Sequence, residues 1–213
     1  MPRLFLIRHG ETDWNRQRKL QGHTDIPLND LGRAQAESLR SLITDLRFDE
    51  VLASDLQRAR RTGEICLPGT ALNTTPLLRE TFLGQAEGLT REEILAKWPE
   101  LWLAWSDLHW AHFDAAFPGG ESRRQGLQRL FRLLTEQRAS FSQDRKIGYF
   151  THGLLLRTFA QWAQGSQEAQ FTTPNCCVYE WEWQWCELHF DSPVEARPRL
   201  RQIHLLPEGS LSL

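Results

Sequence analysis

Two short apolar runs, Leu4 to Ile7 and Ile147 to Phe150, stop abruptly at polar tips: Arg8-His9-Gly10 after the first, Thr151-His152-Gly153 after the second. Runs this short with no polar alternation are the pattern of strands buried on both faces. Such strands need helices above and below them, and the intervening sequence supplies the periodicity. From Gly32 onward, Leu39, Leu42, Ile43 and Leu46 fall at i, i+3, i+4 and i+7, predicting an amphipathic helix. Val51-Leu52-Ala53 is another buried run, with Ser54-Asp55 read as the N-cap of a helix reaching about Cys66. Thr74 to Leu78 reads as a third strand.

Beyond it, Glu92 to Trp110 reads as helical and aromatic, with Trp98, Trp102 and Trp105 at i, i+4 and i+7, until Pro118-Gly119-Gly120 breaks it. The next helix is expected to begin near Glu121, an acid suited to the positive end of the helix dipole, with Leu127, Leu130, Phe131 and Leu134 as its apolar stripe. A further helix runs from Leu154 to about Ala163. The tail then alternates, with Trp181, Trp183 and Trp185 on one face of a strand, and Leu200 to Leu206 reads as the last strand. Strands alternating with helices predict an α/β three-layer sandwich: a mostly parallel central sheet, helices on both faces, antiparallel edge strands near the C-terminus and a small helical lid insertion at about 89–120. At 213 residues one domain spanning 1–213 is expected, with a core that needs neither metal nor disulfide.

Charge narrows the partners. The formal net charge of −2 offers no global field for nucleic acid or an anionic membrane. Three lysines (Lys19, Lys97, Lys146) leave 22 arginines, the residue suited to bidentate contact with phosphate or carboxylate. Cys66, Cys176, Cys177 and Cys186 form no C-x-x-C pair and read as reduced thiols rather than a zinc site. With no signal-peptide pattern and no apolar stretch of membrane-spanning length, the chain reads as soluble and cytoplasmic.

Ligands of parallel sheets bind beyond the carboxyl ends of the strands, where the two histidine tips fall. His9 and His152 with Glu11 and Asp13 match no familiar metal-ligand spacing, so no metal and no cofactor are expected. Phosphoryl transfer suits them better. A neutral imidazole can attack phosphorus when its other nitrogen is held protonated, and cations must then receive the charge spread over the equatorial oxygens. Arg8, Arg58, Arg60 and Arg61 are available, glycines beside both histidines let amides approach an anion, and Glu80 after the third strand can serve as the acid.

Leu6-Ile7-Arg8-His9-Gly10-Glu11-Thr12 with Asn15 resembles the opening motif of the histidine phosphatase (phosphoglycerate mutase-like) superfamily. Further blocks follow in the family's order. They are Gln21-Gly22 and Pro27-Leu28 through Gly32, Gln35 and Ala36; Ser54-Asp55-Leu56-Gln57-Arg58-Ala59 with Thr62; Leu78-Arg79-Glu80 with Gly84 and Glu87-Gly88; Gly119-Gly120-Glu121-Ser122; and Thr151-His152-Gly153 with Arg157. The resemblance implies that His9 is the nucleophile that becomes phosphohistidine and that Arg8, Arg58 and His152 bind the phosphoryl group and supply positive charge. It also implies help from Asn15 and the Gly153 amide, substrate contact from Gln21 and Gly22, and Glu80 as the acid that later helps water attack. Where relatives often carry Trp before the Glu-Gly, this chain has Gln85-Ala86.

The remaining features have plainer readings. His23, His109, His112, His189 and His204 are expected at the surface or in packing. Glu121 divides between helix stabilisation and site support, and the Trp98, Trp102 and Trp105 stripe between packing and substrate contact. Three functions follow: a phosphatase, a phosphoglycerate mutase, or a binding or signalling module without catalysis. The third would not need His9, Arg58, Glu80 and His152 together. The short Gly88–Gly119 segment and the slight Ser210-Leu211-Ser212-Leu213 tail resemble the phosphatase branch, and Gly119-Gly120-Glu121-Ser122 resembles α-ribazole phosphatases of cobalamin assembly and broad-specificity phosphatases. The expected partner is a small-molecule phosphomonoester; an exposed strand edge near the tail could also support a homodimer.

Overall fold

The computed structural model describes residues 1–107, 109–141, 144–165, 171–183, 188, 191 and 197–206. In chain order its regular elements are β1 (Arg3–Arg8), α1 (Asp13–Arg16), α2 (Asp30–Ile43), β2 (Glu50–Ser54), α3 (Gln57–Cys66), β3 (Asn73–Thr75), α4 (Arg91–Lys97), α5 (Pro99–Ser106), α6 (Arg123–Glu136), β4 (Lys146–Thr151), α7 (Gly153–Gln164), β5 (Val178–Glu182) and β6 (Arg199–His204). The six strands form one sheet in the order β3-β2-β4-β1-β5-β6. Pairing is parallel from β3 to β1, while β5 and β6 add antiparallel.

Alternation along β1 sorts the core. Leu4 and Leu6 face α6 and α7, in a cluster with Leu127, Phe131, Phe159 and Trp162. Phe5 and Ile7 face α2 and α3, with Leu39, Ile43 and Ile65. All four are fully buried, each contributing about 2 kcal/mol of transfer free energy. This is the expected three-layer sandwich. Trp181 and Trp183 join the α6–α7 side; Trp185, Cys186 and His189 lie outside the described residues. A third cluster of Leu83, Ala86, Ile94, Trp105, Phe117 and Leu154 ties α4 and α5 to the carboxyl end of the sheet.

Element boundaries depart from the sequence reading where a local group intervenes. The third strand stops at Thr75 because Pro76 has no N–H for the ladder and opens a 3₁₀ turn to Leu78. The aromatic helix is two helices: Pro99 starts α5 and forces Trp98 out of helical geometry, at φ −143° and ψ 66°. The helix expected near Glu121 begins at Arg123, where Ser122 and Gln125 form a reciprocal capping box. Ser54 and Asp55 do not cap α3; the Gln57 amide donates to Asp25 Oδ1 at 2.8 Å instead. The last strand ends at His204, short of Leu206. No described helix is long and apolar enough to cross a membrane.

Candidate active site

The parallel register of β1 and β4 pairs Arg8 with Thr151, so the next residues, His9 and His152, stand side by side at the carboxyl end of the sheet. Their rings meet edge to face, with centroids 5.2 Å apart. A cavity of about 260 Å³ opens above them. Arg8, His9, Asn15, Gln21, Gly22, Arg58, Glu80 and Gly153 line it, while His152 sits fully buried behind that wall.

His9 is held as a nucleophile would need to be. Its Nδ1 lies 2.6 Å from the Gly10 carbonyl, an acceptor that requires the proton on Nδ1 and leaves the Nε2 lone pair free. Burial, then Arg58 and Arg8, push its pKa well below the usual histidine value, so the ring is neutral at pH 7. Gly10 is fixed in turn: its amide donates to Thr62 Oγ1 at 3.0 Å, and that hydroxyl donates to the Arg58 carbonyl at 2.7 Å.

Arg58 is buried and directed by three partners. Nε donates to His152 Nδ1 at 3.2 Å, Nη1 to the Thr24 carbonyl at 2.8 Å and Nη2 to the Gly22 carbonyl at 2.7 Å. Burial lowers its pKa to about 10, so it remains charged at neutral pH. Because His152 Nδ1 accepts, its proton resides on Nε2, a buried donor without a partner among the described residues. Burial and Arg58 hold its pKa well below the ordinary value. In this arrangement, beside Arg58, His152 is a neutral hydrogen-bond donor.

Arg8 donates to the Thr173 carbonyl and lies against Gly153, where a Cβ would stand 2.9 Å from Arg8 Nε. Asn15 is the third residue of α1 and forms the helix's N-terminal capping box with Thr12; its Oδ1 is engaged by Thr12 and by Asn175, leaving its NH₂ for the cavity. Gln21 Oε1 accepts from Thr12 Oγ1 at 3.0 Å. The Gly22 carbonyl is committed to Arg58, so this residue orients the guanidinium.

Glu80 is fastened to the start of α7. Oε1 accepts from the Thr81 and Leu155 amides at 2.9 and 2.8 Å, and Oε2 from Leu154 at 2.8 Å. Oε2, with a single amide, has room for a proton. The backbone around Glu80 is held by Arg129, which donates to the carbonyls of Leu77, Arg79 and Glu80 and pairs with Glu121. Glu121 also accepts from the Phe82 amide at 3.0 Å, so it supports the site rather than a helix terminus. The loop carrying Gly22 is clamped by Glu87, which accepts from the His23 and Thr24 amides at 2.7 and 2.8 Å. His23 is no plain surface residue either, since its Nε2 lies 2.9 Å from the Glu80 carbonyl.

Arg60 and Arg61 point away, exposed and paired with Glu64. Trp98 and Trp102 pack against the third cluster, whereas Trp105 reaches the cavity wall. Lys19, Leu20, Leu83, Leu154, Arg157 and Thr173 also line the cavity and had been assigned no role there. Arg157 had a signal: it is a cation directly after the apolar Leu154–Leu156 run, one helical turn after Gly153. Burial pushes the Cys66 and Cys177 thiols up to about 12, so neither competes as a nucleophile. No cluster of three or more ligating side chains among the described residues could hold a metal ion.

The family description "Histidine phosphatase superfamily (branch 1)" matches residues 4–204. The uncharacterized phosphatase PhoE of Bacillus subtilis is 31% identical over 182 residues, covering 84% of this chain and 86% of that protein. Glucosyl-3-phosphoglycerate phosphatase of Mycobacterium tuberculosis (strain H37Rv) is 36% identical over 166 residues, 72% of this chain and 71% of its own. The native structure of mycobacterial glucosyl-3-phosphoglycerate phosphatase superposes with a TM-score of 0.78 at 30% identity, covering 93% of this chain and 96% of that one.

Proposed function

Since the chain belongs to branch 1 of the histidine phosphatase superfamily and is a phosphatase of that family, we propose that it hydrolyses small-molecule phosphomonoesters through a phosphohistidine on His9, without a metal. The observation that carries this reading is the bond between His9 Nδ1 and the Gly10 carbonyl, which leaves a neutral imidazole with an open Nε2.

In the first step His9 Nε2 forms a bond to phosphorus as the ester oxygen leaves. Glu80, protonated at Oε2, gives its proton to that oxygen. Arg8, the two free N–H groups of Arg58, the Asn15 amide, His152 Nε2–H and the Gly153 amide receive the charge on the equatorial oxygens. These donors supply by themselves what a metal ion would otherwise provide. In the second step the Glu80 carboxylate takes a proton from water as its oxygen attacks phosphorus. Inorganic phosphate departs, His9 recovers its lone pair and Glu80 its proton. Gln21 and Gly22 shape the entrance through their bonds to Thr12 and Arg58.

The finer reading of α-ribazole phosphate as substrate draws on Trp105, whose indole on the cavity wall offers a stacking surface for a nucleobase-like leaving group.

The test is a phosphomonoester panel in excess EDTA, comparing the wild type with His9→Ala. It includes p-nitrophenyl phosphate, α-ribazole phosphate, phosphoserine and 3-phosphoglycerate. EDTA-resistant phosphate release that falls by about 10³ or more in His9→Ala is expected. Near-normal release by the variant would remove His9 from the mechanism. Interconversion of phosphoglycerates on addition of a bisphosphate primer, with no phosphate released, would move the chain to the mutase reading.

A further inference from the structure

Glu80 stands on chain that belongs to no helix or strand, between the 3₁₀ turn ending at Leu78 and the next one, which opens at Gly84. Carbonyls drawn out of water there have no ladder to accept from and must find other donors. Side chains provide them. Thr151 Oγ1 donates to the Leu78 carbonyl at 2.9 Å. Arg129 takes the carbonyls before and after it: Nη1 donates to Leu77 and Arg79 at 2.9 and 2.8 Å, and Nη2 to Glu80 at 3.0 Å. The other two N–H groups of Arg129 go to Glu121, Nε to Oε1 at 3.2 Å and Nη2 to Oε2 at 2.9 Å.

Glu121 in turn accepts from the Phe82 amide. A single ion pair therefore fastens the backbone on both flanks of Glu80, through the guanidinium before it and the carboxylate after it. The two side chains are only 15% and 25% exposed, so solvent screens this pair less than a surface bridge. Neither residue lines the cavity. The Glu80 carboxyl group is fixed separately, by the Thr81, Leu154 and Leu155 amides. With backbone and oxygens both held, Oε2 has one direction in the cavity. A general acid must lie within hydrogen-bond reach of the oxygen it protonates, and it matters most where that oxygen leaves poorly unaided. A displacement of about 1 Å is enough to cost about 10² in rate.

We propose that Arg129, locked to Glu121, is a positioning residue for the Glu80 proton: it determines which leaving groups the enzyme can expel, and not how tightly the phosphoryl group is held. The proposal rests on the phosphatase reading above, in which Glu80 protonates the ester oxygen.

The test is the dependence of kcat/KM on the leaving group across substituted phenyl phosphates, from p-nitrophenyl phosphate to phenyl phosphate. These substrates are close in shape and differ in how basic the departing phenolate is. Relative to the wild type, Arg129→Met should raise the p-nitrophenyl-to-phenyl ratio of kcat/KM by about ten-fold or more. Glu121→Gln should raise it less, because its amide oxygen still accepts from Phe82. Arg129→Lys, whose ammonium cannot reach all five partners, should fall between the wild type and Arg129→Met. Inhibition by inorganic phosphate should shift by less than about three-fold in each variant. A uniform loss across the series, which a loosened fold would give, would overturn the positioning role. An unchanged ratio in both Arg129→Met and Glu121→Gln would overturn it too. Should Arg129→Met not fold, Glu121→Gln decides. Glu80→Gln is measured beside them: an unchanged ratio there is the failure of the acid assignment itself, and the positioning role falls with it.

Discussion

Arg58 has five N–H groups and the fold uses three of them, on His152, Thr24 and Gly22. That leaves a pair in fixed orientation for the phosphoryl oxygens, and it sets the His152 tautomer at the same time. An ammonium is a point charge on a flexible stem and cannot reproduce both arrangements. Arg58→Lys should therefore lower kcat/KM on p-nitrophenyl phosphate by about 10² or more. Near-native activity would mean that charge alone suffices. The sequence pointed to His9, Arg58 and His152, which the fold brings together, because each follows a buried apolar run closely and matches an ordered motif. It could not give their protonation states, since Gly10 O and Arg58 Nε fix the two rings through geometry that spacing does not encode. Lys19, Trp105 and Arg157 reach the cavity from a loop and two helices whose relative placement is a tertiary fact. Arg60 and Arg61 looked equivalent to Arg58 in sequence, yet the helical rotation of α3 turns them to solvent.

At the scale of elements, the tip of β1 meets the first turn of α2 backbone to backbone. A Cβ on Gly10 would lie 2.3 Å from the Gly32 carbonyl oxygen, and one on Gly32 would lie 2.0 Å from that of Glu11. Gly10→Ala should cost about 2 kcal/mol or more of stability, read from the denaturant midpoint. Activity should fall with it, because the displaced Gly10 carbonyl is what holds His9. An unchanged midpoint would contradict this close contact. Strand positions and layer order were legible in the hydrophobic pattern. Boundaries were less so: Pro76, Pro99 and the Ser122–Gln125 box each act within a few residues and override a periodicity read over a longer window.

For the whole molecule, the site carries a pH-dependent cost. His9 and His152 are buried with pKa values well below the unfolded value of about 6.5. As pH falls below that value the unfolded chain takes up protons that the folded chain refuses, so stability declines. With both histidines contributing, the slope approaches about 2.7 kcal/mol per pH unit. Tm should therefore fall between pH 6.5 and 5, above the range where carboxylates such as Asp55, held low by Arg79, begin to protonate. His152→Gln should make that slope shallower, and a Tm flat over this window would contradict neutral burial of the pair.

The central claim is that His9 carries the phosphoryl group between substrate and water. Its most direct test is to mix enzyme with a good phosphomonoester in EDTA, quench with alkali within a turnover, and map the phosphorylated peptide by mass spectrometry. A base-stable, acid-labile phosphoryl group on His9, decaying at a rate no slower than kcat, is the predicted result. Steady hydrolysis with His9 never phosphorylated, or with phosphate on any other residue, would contradict it.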